Sequence, residues 1–379
     1  MKILFLIYHG FSEHSGISKK IHYQIKGLQE NGHTVHVCTY SRNKQRCRIR
    51  YIDNEVLENY GIGKLAALKK RICFQSIVKY AINKQIDFVY ARSFHNANPF
   101  TVRLFKSLKK AGIKSVIEIP TYPYDQEYVG FPFITRLGIK IDQLFRHQLA
   151  KQTDRIVTFT DDSFIFGQKT IRISNGVDFD SIPLKQPSNH SSKELHLIGV
   201  AEVHYWHGFD RLIHGMGEYY SHPHEANVYF HIIGGIGPTE MYNSQHAPGF
   251  HELIEKYHIE PYILFHGQLF GEDLDKYFNQ CDFAIGSLAR HRSGITTIKT
   301  LKNREYAARG IPFIFSEDDK DFNDKPYIIK APADESPIKI QDIIEFQRNM
   351  NILPIDIRNS IQNLSWKEQM KKVIEIINE

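Results

Sequence analysis

Short runs of β-branched and aromatic residues alternate with longer segments of helical periodicity along the whole chain, and this alternation constrains the fold more than any other feature. In the first half the runs cover residues 3–8, 34–40, 88–91, 115–119 and 155–160. They are apolar on both faces, which is typical of parallel strands covered by helices. The helix between the first two runs ends at Gly32 and carries one apolar stripe: Ile17, Ile21, Ile25 and Leu28. This pattern predicts a βαβ unit.

The alternation restarts after a segment rich in Pro, Ser, Asn and Gln at 183–193, a composition typical of a linker. The second set of apolar runs covers residues 195–203, 228–234, 263–267, 283–286 and 312–316. We therefore predict an α/β fold of two Rossmann-like doubly wound domains, 1–182 and 183–364. A terminal helix over 365–379 opens with a capping box at Ser365 and Glu368 and packs either on the second domain or back on the first.

Charge is divided unevenly along the 379 residues, whose formal net charge is +6. Residues 1–150 hold 24 basic and 10 acidic side chains, a net +14, whereas residues 151–379 hold 24 basic and 32 acidic, a net −8. The basic half concentrates its charge at 42–50 and at 64–79, where cations interrupt apolar residues. A basic amphipathic helix favours contact with an anionic membrane surface, and a merely solvated basic face is the alternative. No recognition motif supports nucleic acid as the partner.

Several classes of protein are disfavoured by simple features. The apolar run at 3–8 is too short for a transmembrane helix or for the core of a signal peptide. The four cysteines, Cys38, Cys47, Cys73 and Cys281, are scattered without a C-x-x-C pair, which argues against disulfides and structural zinc. We therefore expect a cytoplasmic protein.

Two glycine-containing loops follow predicted strands, where a ligand could approach the backbone. Gly16 lies immediately before the first helix, and Gly235 lies within the segment GGIGP at 234–238. Each fits a phosphate or sugar site at a helix start, and each fits an ordinary βα turn equally well. The first loop lacks G-x-G-x-x-G spacing and no acid ends the second strand, so a nicotinamide-dependent dehydrogenase is disfavoured.

The segment 293–312 is the most informative for chemistry. A loop with Ser293 and Gly294 leads into a helix that carries Lys302 and Glu305 and stops in a Gly-Ile-Pro sequence. A carboxylate on such a helix can accept both hydroxyls of a ribose, and a lysine one turn earlier can face a diphosphate. The alternative is a surface ion pair between these two side chains.

Three motifs together resemble the retaining glycosyltransferases of family 4 (group 1), which have the GT-B fold. They are Asn175-Gly176-Val177-Asp178, the segment WHGFDRLI at 206–213 and the block KNREYAARGIP at 302–312. A fourth, EIPTYPYD at 118–125, resembles a subgroup found in bacterial surface-polysaccharide clusters. The resemblance implies a nucleotide-sugar donor held mainly by the C-terminal domain, across an interdomain cleft from an acceptor held mainly by the N-terminal domain.

The resemblance also implies roles for single residues. Glu305 matches the second acid of the family's E-x7-E motif, which binds the donor ribose. Thr297 stands where the first acid is expected, so the backbone at 293–294 is our candidate for its contact with the donor sugar. The strands that would carry the family's N-domain histidine end instead in Arg92 and Glu118.

The family's cationic pair that binds the diphosphate has no full counterpart in this chain. Its positions fall near Glu202 and His207, so a histidine is the only cation candidate retained there. Lys302 and Lys299 are our candidates for the missing positive charge.

The predicted chemistry follows from how charge develops during sugar transfer. Negative charge grows on the leaving diphosphate while the sugar becomes oxocarbenium-like, so a cation must face the phosphate. The D-x-D sequence at 178–180 could suggest a metal, but it lies inside the junction motif, where we interpret it as structural.

We therefore predict a metal-independent, retaining glycosyltransferase without a cofactor. It would transfer a sugar from a UDP- or GDP-type donor to a lipid-linked or polysaccharide acceptor in cell-surface polysaccharide biosynthesis, with peripheral contact to the inner membrane face. Two alternatives remain at this point: a nucleotide-sugar epimerase of the same fold, and a non-catalytic GT-B partner subunit.

Overall fold

The computed structural model describes residues 1–12, 15–128, 131–187, 191, 193–242 and 248–379, without the side chains of 126 and 127. Part of the predicted linker (188–190 and 192) and part of the first glycine-containing loop (13 and 14) therefore lie outside the described residues. The chain divides into two compact units, one formed by residues 1–176 and 365–379, and the other by residues 177–364.

The first unit is built on a nine-stranded sheet with the strand order β4-β3-β2-β1-β5-β6-β7-β9-β8. Its strands are β1 (Lys2–Leu6), β2 (Thr34–Arg42), β3 (Arg48–Ile52), β4 (Glu55–Gly61), β5 (Phe88–Arg92), β6 (Lys114–Ile119), β7 (Arg155–Thr158), β8 (Phe164–Ile165) and β9 (Gln168–Arg172). Its helices are α1 (Gly16–Glu30), α2 (Gly63–Ile72), α3 (Gln75–Asn83), α4 (Pro99–Lys110) and α5 (Phe133–Ala150), with α13 (Trp366–Asn378) returning from the chain end.

Six of these strands run parallel, and antiparallel strands extend both edges of the sheet. The antiparallel strands β3 and β4 were not predicted. The start of β3 lies in the basic segment 42–50, where charged residues interrupt the apolar pattern that would indicate a strand. The predicted basic helix over 64–79 is wrong in one respect: it is two helices, α2 and α3, separated at Cys73 and Phe74. The predicted parallel strands of this half are all present.

The terminal helix α13 packs against α1 within this first unit. Its apolar stripe, Trp366, Met370, Val373 and Ile377, is buried in a cluster with residues of α1 and of the central strands. The two helices approach closely at Gly27, where a Cβ atom would lie 2.6 Å from the carbonyl oxygen of Trp366. Ser365 caps α13 by accepting a hydrogen bond from the backbone N–H of Glu368.

The second unit is built on a six-stranded parallel sheet with the order β12-β11-β10-β13-β14-β15. Its strands are β10 (Glu194–Val200), β11 (Asn227–Ile233), β12 (Ile263–Gly267), β13 (Phe283–Ile285), β14 (Phe313–Phe315) and β15 (Ile328–Lys330). Its helices are α6 (Phe209–Tyr220), α7 (Pro238–Tyr242), α8 (Phe250–Tyr257), α9 (Gly271–Gln280), α10 (Leu301–Arg309), α11 (Ile340–Asn349) and α12 (Pro354–Asn359).

The strand order of the second sheet is that of a Rossmann-like doubly wound unit, as is the order β2-β1-β5-β6-β7-β9 inside the first sheet. The predicted fold class is therefore confirmed. In the second unit the winding reverses between the neighbouring strands β10 and β13. Ligands of open α/β sheets bind at such a switch point, so its loops define where to look for a site. Within the described residues, no helix combines the length and apolar character needed to cross a bilayer.

Candidate functional site

The loops that follow β10 and β13 are tied together at the switch point of the second unit. The backbone N–H of Leu288 donates to the carbonyl of His207 at 2.9 Å. Gly208 has a left-handed backbone with φ of 65°, and a Cβ there would lie 2.8 Å from that of Ala289. Glycine is therefore needed for this close approach between the two loops.

Lys302 enters this region from the first turn of α10 as a buried cation. Its Nζ atom is shielded from solvent and makes no hydrogen bond to any residue that the structure describes. Burial, followed by the positive charge of Arg290, lowers the pKa of Lys302 to about 7, while Glu317 acts weakly in the opposite direction. The ammonium lies 6.0 Å from the ring centre of Phe209. A buried ammonium without a hydrogen-bond partner costs folding free energy and is a candidate group for binding a negatively charged ligand.

Arg290 supplies a second cation beside Lys302. It lies in the 3-10 turn after β13, with its guanidinium 5.7 Å from the ring centre of Trp206. Its Nε atom is also buried without a hydrogen-bond partner among the described residues. Burial lowers its pKa, but an arginine remains protonated at any physiological pH. The pair therefore retains one permanent charge and one that titrates near neutrality.

Glu317 is the acid that accompanies these two cations. It lies two residues after the end of β14, is buried, and neither of its carboxylate oxygens has a hydrogen-bond partner on another residue within the described part of the chain. Burial raises its pKa, whereas its own backbone N–H, Arg290 and Lys302 lower it by less. Its carboxylate can accept hydrogen bonds from ligand hydroxyls without first giving up a protein partner.

His207 does not have the charge that was predicted for it. Its Nδ1 atom accepts a hydrogen bond from the backbone N–H of His204 at 2.9 Å. The pKa of His207 is lowered far below the ordinary value, mainly by burial and then by the positive charges of Lys302 and Arg290. The prediction of His207 as a cation is therefore wrong, and its neutral imidazole can offer only an Nε2–H donor.

Unpartnered polar atoms concentrate around this cluster. Buried side-chain atoms without a hydrogen-bond partner among the described residues occur here in Ser287, Arg290, Thr300, Lys302, Asn303 and Glu317. Native proteins leave few such atoms, so their concentration at the switch point indicates a polar ligand site. We refer to these six residues as the switch-point cluster.

Glu202 and Gly235 are brought together on the other side of β10. A Cβ atom on Gly235 would lie 2.6 Å from the Oε1 atom of Glu202, and Gln268 donates to its Oε2 atom at 3.2 Å. The backbone N–H of Val203 donates to the carbonyl of Gly235, which joins the two loops. The backbone of Gly235, predicted to contact a phosphate or a sugar, is thus covered by the Glu202 carboxylate. This carboxylate would repel a phosphate but could accept hydrogen bonds from sugar hydroxyls.

Glu305 lies one turn beyond Lys302 on α10 and is 34% exposed. It does not pair with Lys302, because Arg309 donates to its Oε1 atom from both Nε and Nη2. Arg309 is in turn paired with Asp275 of α9 at 2.7 Å. The carboxylate is therefore held in place by a neighbour on its own helix, and its ribose-binding role stays a prediction.

The remaining predicted donor residues lie in the loop that precedes α10. The Ser293 hydroxyl donates to the carbonyl of Arg290 at 2.8 Å, and Gly294 is exposed with a left-handed φ of 69°. Thr297 is exposed and forms an isolated bridge with Asp318, and Lys299 is half-buried between that bridge and the helix. No group of three or more metal-binding side chains occurs in the residues that the structure covers.

In the first unit, Arg92 and Glu118 form a buried ion pair at the ends of β5 and β6. The Nη1 atom of Arg92 lies 2.6 Å from Oε1 of Glu118, while Tyr90 and Gln24 donate to Oε2, each at 2.6 Å. Lys20 of α1 lies 3.7 Å from the same carboxylate. Burial would raise the pKa of Glu118, but Lys20 and Arg92 hold it below the ordinary value. This carboxylate is fully occupied by protein groups.

His95 is a further polar residue near the end of β5. It stacks on Tyr124 with ring centres 3.7 Å apart, and its Nδ1 atom lies 2.6 Å from the hydroxyl of Tyr128. Burial, with Arg92, lowers its pKa to about 4, so the ring is neutral. Gly16, the other predicted residue of this unit, is exposed at the start of α1, where Ser15 caps the helix.

Arg290 and Glu317 were missed by sequence reasoning, although a signal was present. Both follow predicted strands closely, and polar residues directly after parallel strands line the binding edge of such sheets. Their partnership with Lys302 depends on adjacent strands β13 and β14, which are separated by a loop and a helix in sequence.

Comparison with known proteins shows the fold. No family model and no curated protein matches the chain. Among solved structures, sucrose-phosphate synthase from Thermosynechococcus elongatus is similar, with a TM-score of 0.59 and 13% identity over 100% of this chain and 98% of that chain. A trehalose-6-phosphate protein from E. coli bound with UDP-2-fluoro glucose gives 0.60 and 11% identity, covering 100% and 99%.

A trehalose-6-phosphate synthase studied for glycosyltransfer with retention gives a TM-score of 0.55 and 11% identity, covering 100% of this chain and 98% of that one. At such low identity these similarities establish the architecture and not the activity. The chain has the GT-B fold, with two Rossmann-like α/β units in one polypeptide.

Proposed function

We propose that this protein is a retaining glycosyltransferase that takes a sugar from a UDP- or GDP-type donor without a metal ion. The observation that carries the proposal is the unpartnered, buried ammonium of Lys302 beside Arg290 at the switch point. The similarity in fold to a protein bound with UDP-2-fluoro glucose supports a nucleotide sugar as the ligand.

The two cations fit the chemistry of the leaving group. As the bond between the sugar and the diphosphate breaks, negative charge accumulates on the terminal phosphate. Arg290 offers a permanent planar donor, and Lys302 gains its proton fully when a diphosphate approaches, because an anion raises the pKa of a neighbouring ammonium. The two cations would therefore stabilise most strongly the state in which the negative charge on the phosphate is greatest.

The carboxylates of the site are assigned to the hydroxyls of the donor. Glu305, held by Arg309 through Oε1, is proposed to accept the ribose hydroxyls. Glu317 has two carboxylate oxygens without a hydrogen-bond partner on another described residue, and it is proposed to accept hydrogen bonds from the sugar hydroxyls. It would thereby replace the carboxylate that the family has at the position of Thr297. The exposed backbone at 293–294 lies on the same loop and is proposed to complete the sugar site.

The acceptor is proposed to be a lipid-linked or polysaccharide glycan in cell-surface polysaccharide biosynthesis, handled at the cytoplasmic membrane face. This part rests on the resemblance of 118–125 and on the basic first unit. Within that unit, Arg92 and Glu118 are the predicted catalytic residues, and Glu118 is proposed to position Arg92 through their 2.6 Å contact.

Calorimetry with UDP and GDP, followed by product analysis, tests the proposal. We expect one of the two nucleotides to bind and its sugar conjugate to be consumed only when a glycan acceptor is present. Formation of an epimerised nucleotide sugar from donor alone would replace the proposal with an epimerase. Absence of binding by both nucleotides would instead favour a non-catalytic partner subunit.

A further inference from the structure

Helix α5 presents an apolar stripe to solvent. Phe133, Ile134 and Leu144 are 76%, 83% and 72% exposed, and Leu137 and Ile141 between them are also exposed. Four of these residues follow helical spacing, at 133, 137, 141 and 144, so they share one side of the helix. A contiguous exposed apolar stripe of this kind marks an interaction surface.

The orientation of α5 is fixed by polar contacts on its inner side. Asp142 is buried, accepting from the backbone N–H of Ala97 at 2.7 Å and from the Tyr124 hydroxyl at 2.5 Å. Rotating the helix to bury its apolar stripe would break both bonds and leave a buried carboxylate unpartnered. The exposure of the stripe is therefore built into the packing of this unit.

Helix α2 extends the apolar surface. Leu65 is 75% exposed, and Ile62 and Leu68 on the same segment are also exposed. The two helices are neighbours, because a Cβ on Gly138 of α5 would lie 3.8 Å from the Nη1 atom of Arg71. We call the exposed apolar residues of this pair the α2–α5 face: Ile62, Leu65, Leu68, Phe133, Ile134, Leu137, Ile141 and Leu144.

The helices that carry and flank the α2–α5 face are strongly basic, although acids lie on the elements packed beside them: Asp125 next to α5, and Glu55 and Glu58 on β4 next to α2. Helices α2 and α5, with α4 packed beside them, contain a single acid, Asp142, and it is buried. Their exposed side chains include these cations: Lys64, Lys69, Arg71, Arg103, Lys106, Lys109, Lys110, Arg136 and Lys140. An apolar stripe bordered by cations matches the boundary between acyl chains and anionic headgroups of a bilayer.

We infer that the α2–α5 face docks the protein onto an anionic lipid bilayer, with α5 and α2 lying in the headgroup region. A second copy of the chain is the weaker occupant, because a symmetric contact would place two cationic borders against each other. The inference extends the predicted membrane contact of 64–79 to α5, and it stands independently of the donor site.

Vesicle sedimentation of the full chain tests this inference. The vesicles are phosphatidylcholine alone, or phosphatidylcholine and phosphatidylglycerol in equal parts. We expect the protein to bind the anionic vesicles and to be released by raised salt, since cations contribute to the attraction. Ile134→Ser with Leu144→Ser should lower the partition coefficient at least about tenfold, because two inserting side chains are lost. Arg136→Glu with Lys140→Glu should abolish the preference for anionic vesicles.

A matched control uses exposed residues of the second unit. Leu353→Ser with Ile355→Ser removes the same side-chain types from α12 and its cap and should leave vesicle binding unchanged. Nucleotide binding by the α5 variants, measured by calorimetry, should equal that of the unchanged protein, so a failure here is distinct from a failure of the proposed function. The inference is overturned if neither vesicle binds the protein, if the control loses as much binding, or if the α5 substitutions convert a dimer to a monomer.

Discussion

The ammonium of Lys302 and the carboxylate of Glu317 act on each other electrostatically, yet neither makes a hydrogen bond to any residue that the structure describes. Burial shifts both toward their neutral forms, lowering the pKa of Lys302 to about 7 and raising that of Glu317. Such a pair stabilises the fold poorly, because its charges lack the hydrogen bonds that would offset desolvation. The pair is therefore better suited to binding a polar ligand than to stabilising the fold.

Lys302→Met should separate ligand binding from stability. Removing a buried cation that makes no hydrogen bond to a described residue should leave the free energy of unfolding unchanged or raise it, by about 1 kcal/mol or more. Loss of the charge facing the diphosphate should weaken UDP or GDP binding at least about tenfold. Urea unfolding and calorimetry measure the two quantities.

Lys339→Met is the matched control for that variant, since Lys339 is exposed at the start of α11 in the same unit. It should change neither quantity. A strongly destabilised Lys302→Met protein, or one that binds both nucleotides as the unchanged protein does, would contradict the assignment of Lys302.

Nucleotide affinity should depend on pH through Lys302. Its pKa of about 7 means that the ammonium is only partly protonated at neutral pH. Binding of a diphosphate raises this pKa, so affinity should fall by up to about tenfold per unit as the pH rises above 7. Calorimetry in buffers of different ionisation enthalpy should show proton uptake, and Lys302→Met should remove both effects.

The lowered pKa of Lys302 also affects stability: nucleotide affinity should fall as the pH rises, whereas the free energy of unfolding should increase. The unfolded chain has an ordinary lysine pKa of 10.5, so between about pH 7 and 10.5 it binds more protons at this residue than the folded chain does. The contribution of Lys302 to the free energy of unfolding must therefore rise with pH across that window. Urea unfolding of the unchanged protein and of Lys302→Met at several pH values should reveal the difference, and parallel curves would exclude it.

Glu305→Gln should weaken donor use without unfolding the protein. The substitution keeps the side-chain volume and an acceptor oxygen for Arg309, but removes the charge that favours ribose hydroxyls. We expect turnover of the nucleotide sugar to fall by about 10-fold to 100-fold, with a small change in unfolding free energy. Glu255→Gln on α8 changes an exposed acid of the same unit and should be neutral. Unchanged donor turnover in Glu305→Gln would remove Glu305 from the site.

The sequence was sufficient for the parallel strands that consist of a continuous apolar run, because such a run needs no partner to be recognised, but it missed the mostly polar β9, the short β15 and the antiparallel β3 and β4. Lys302 and Glu305 could be named from their spacing on one helix. Arg290 and Glu317 could not, since their relation to Lys302 arises only when β13 and β14 become neighbours. The neutral state of His207 likewise depends on burial, which spacing does not encode.

The exposed stripe of α5 shows a different limit. An apolar stripe at helical spacing ordinarily predicts the buried face, and an aspartate the exposed one. Here Asp142 lies inside because Ala97 and Tyr124 bond to it, and this turns the apolar residues toward solvent. Such an inversion depends on contacts distant in sequence.

Glu118 is expected to act through the stability of the first unit. Glu118→Leu would leave Lys20 and Arg92 buried without their shared carboxylate, at a cost of about 3–5 kcal/mol. Because the pKa of Glu118 is lowered, its stabilisation is present above the unfolded pKa and is lost as the pH falls through the folded value. Urea unfolding at neutral and acidic pH should show this loss for the unchanged protein and not for the variant. Equal stability of the two proteins at neutral pH would show that the ion pairs contribute nothing.

Gly27→Ala should loosen the attachment of α13. A Cβ at this position would lie 2.6 Å from a backbone oxygen of Trp366, so the two helices must separate, at a cost of about 1–3 kcal/mol. Gly16→Ala on the same helix is the control, because a Cβ there meets nothing within 4 Å. Hydrogen exchange should then accelerate in α13 for Gly27→Ala and stay unchanged for Gly16→Ala. Equal protection of α13 in both variants would mean that the close approach at Gly27 does not hold the terminal helix in place.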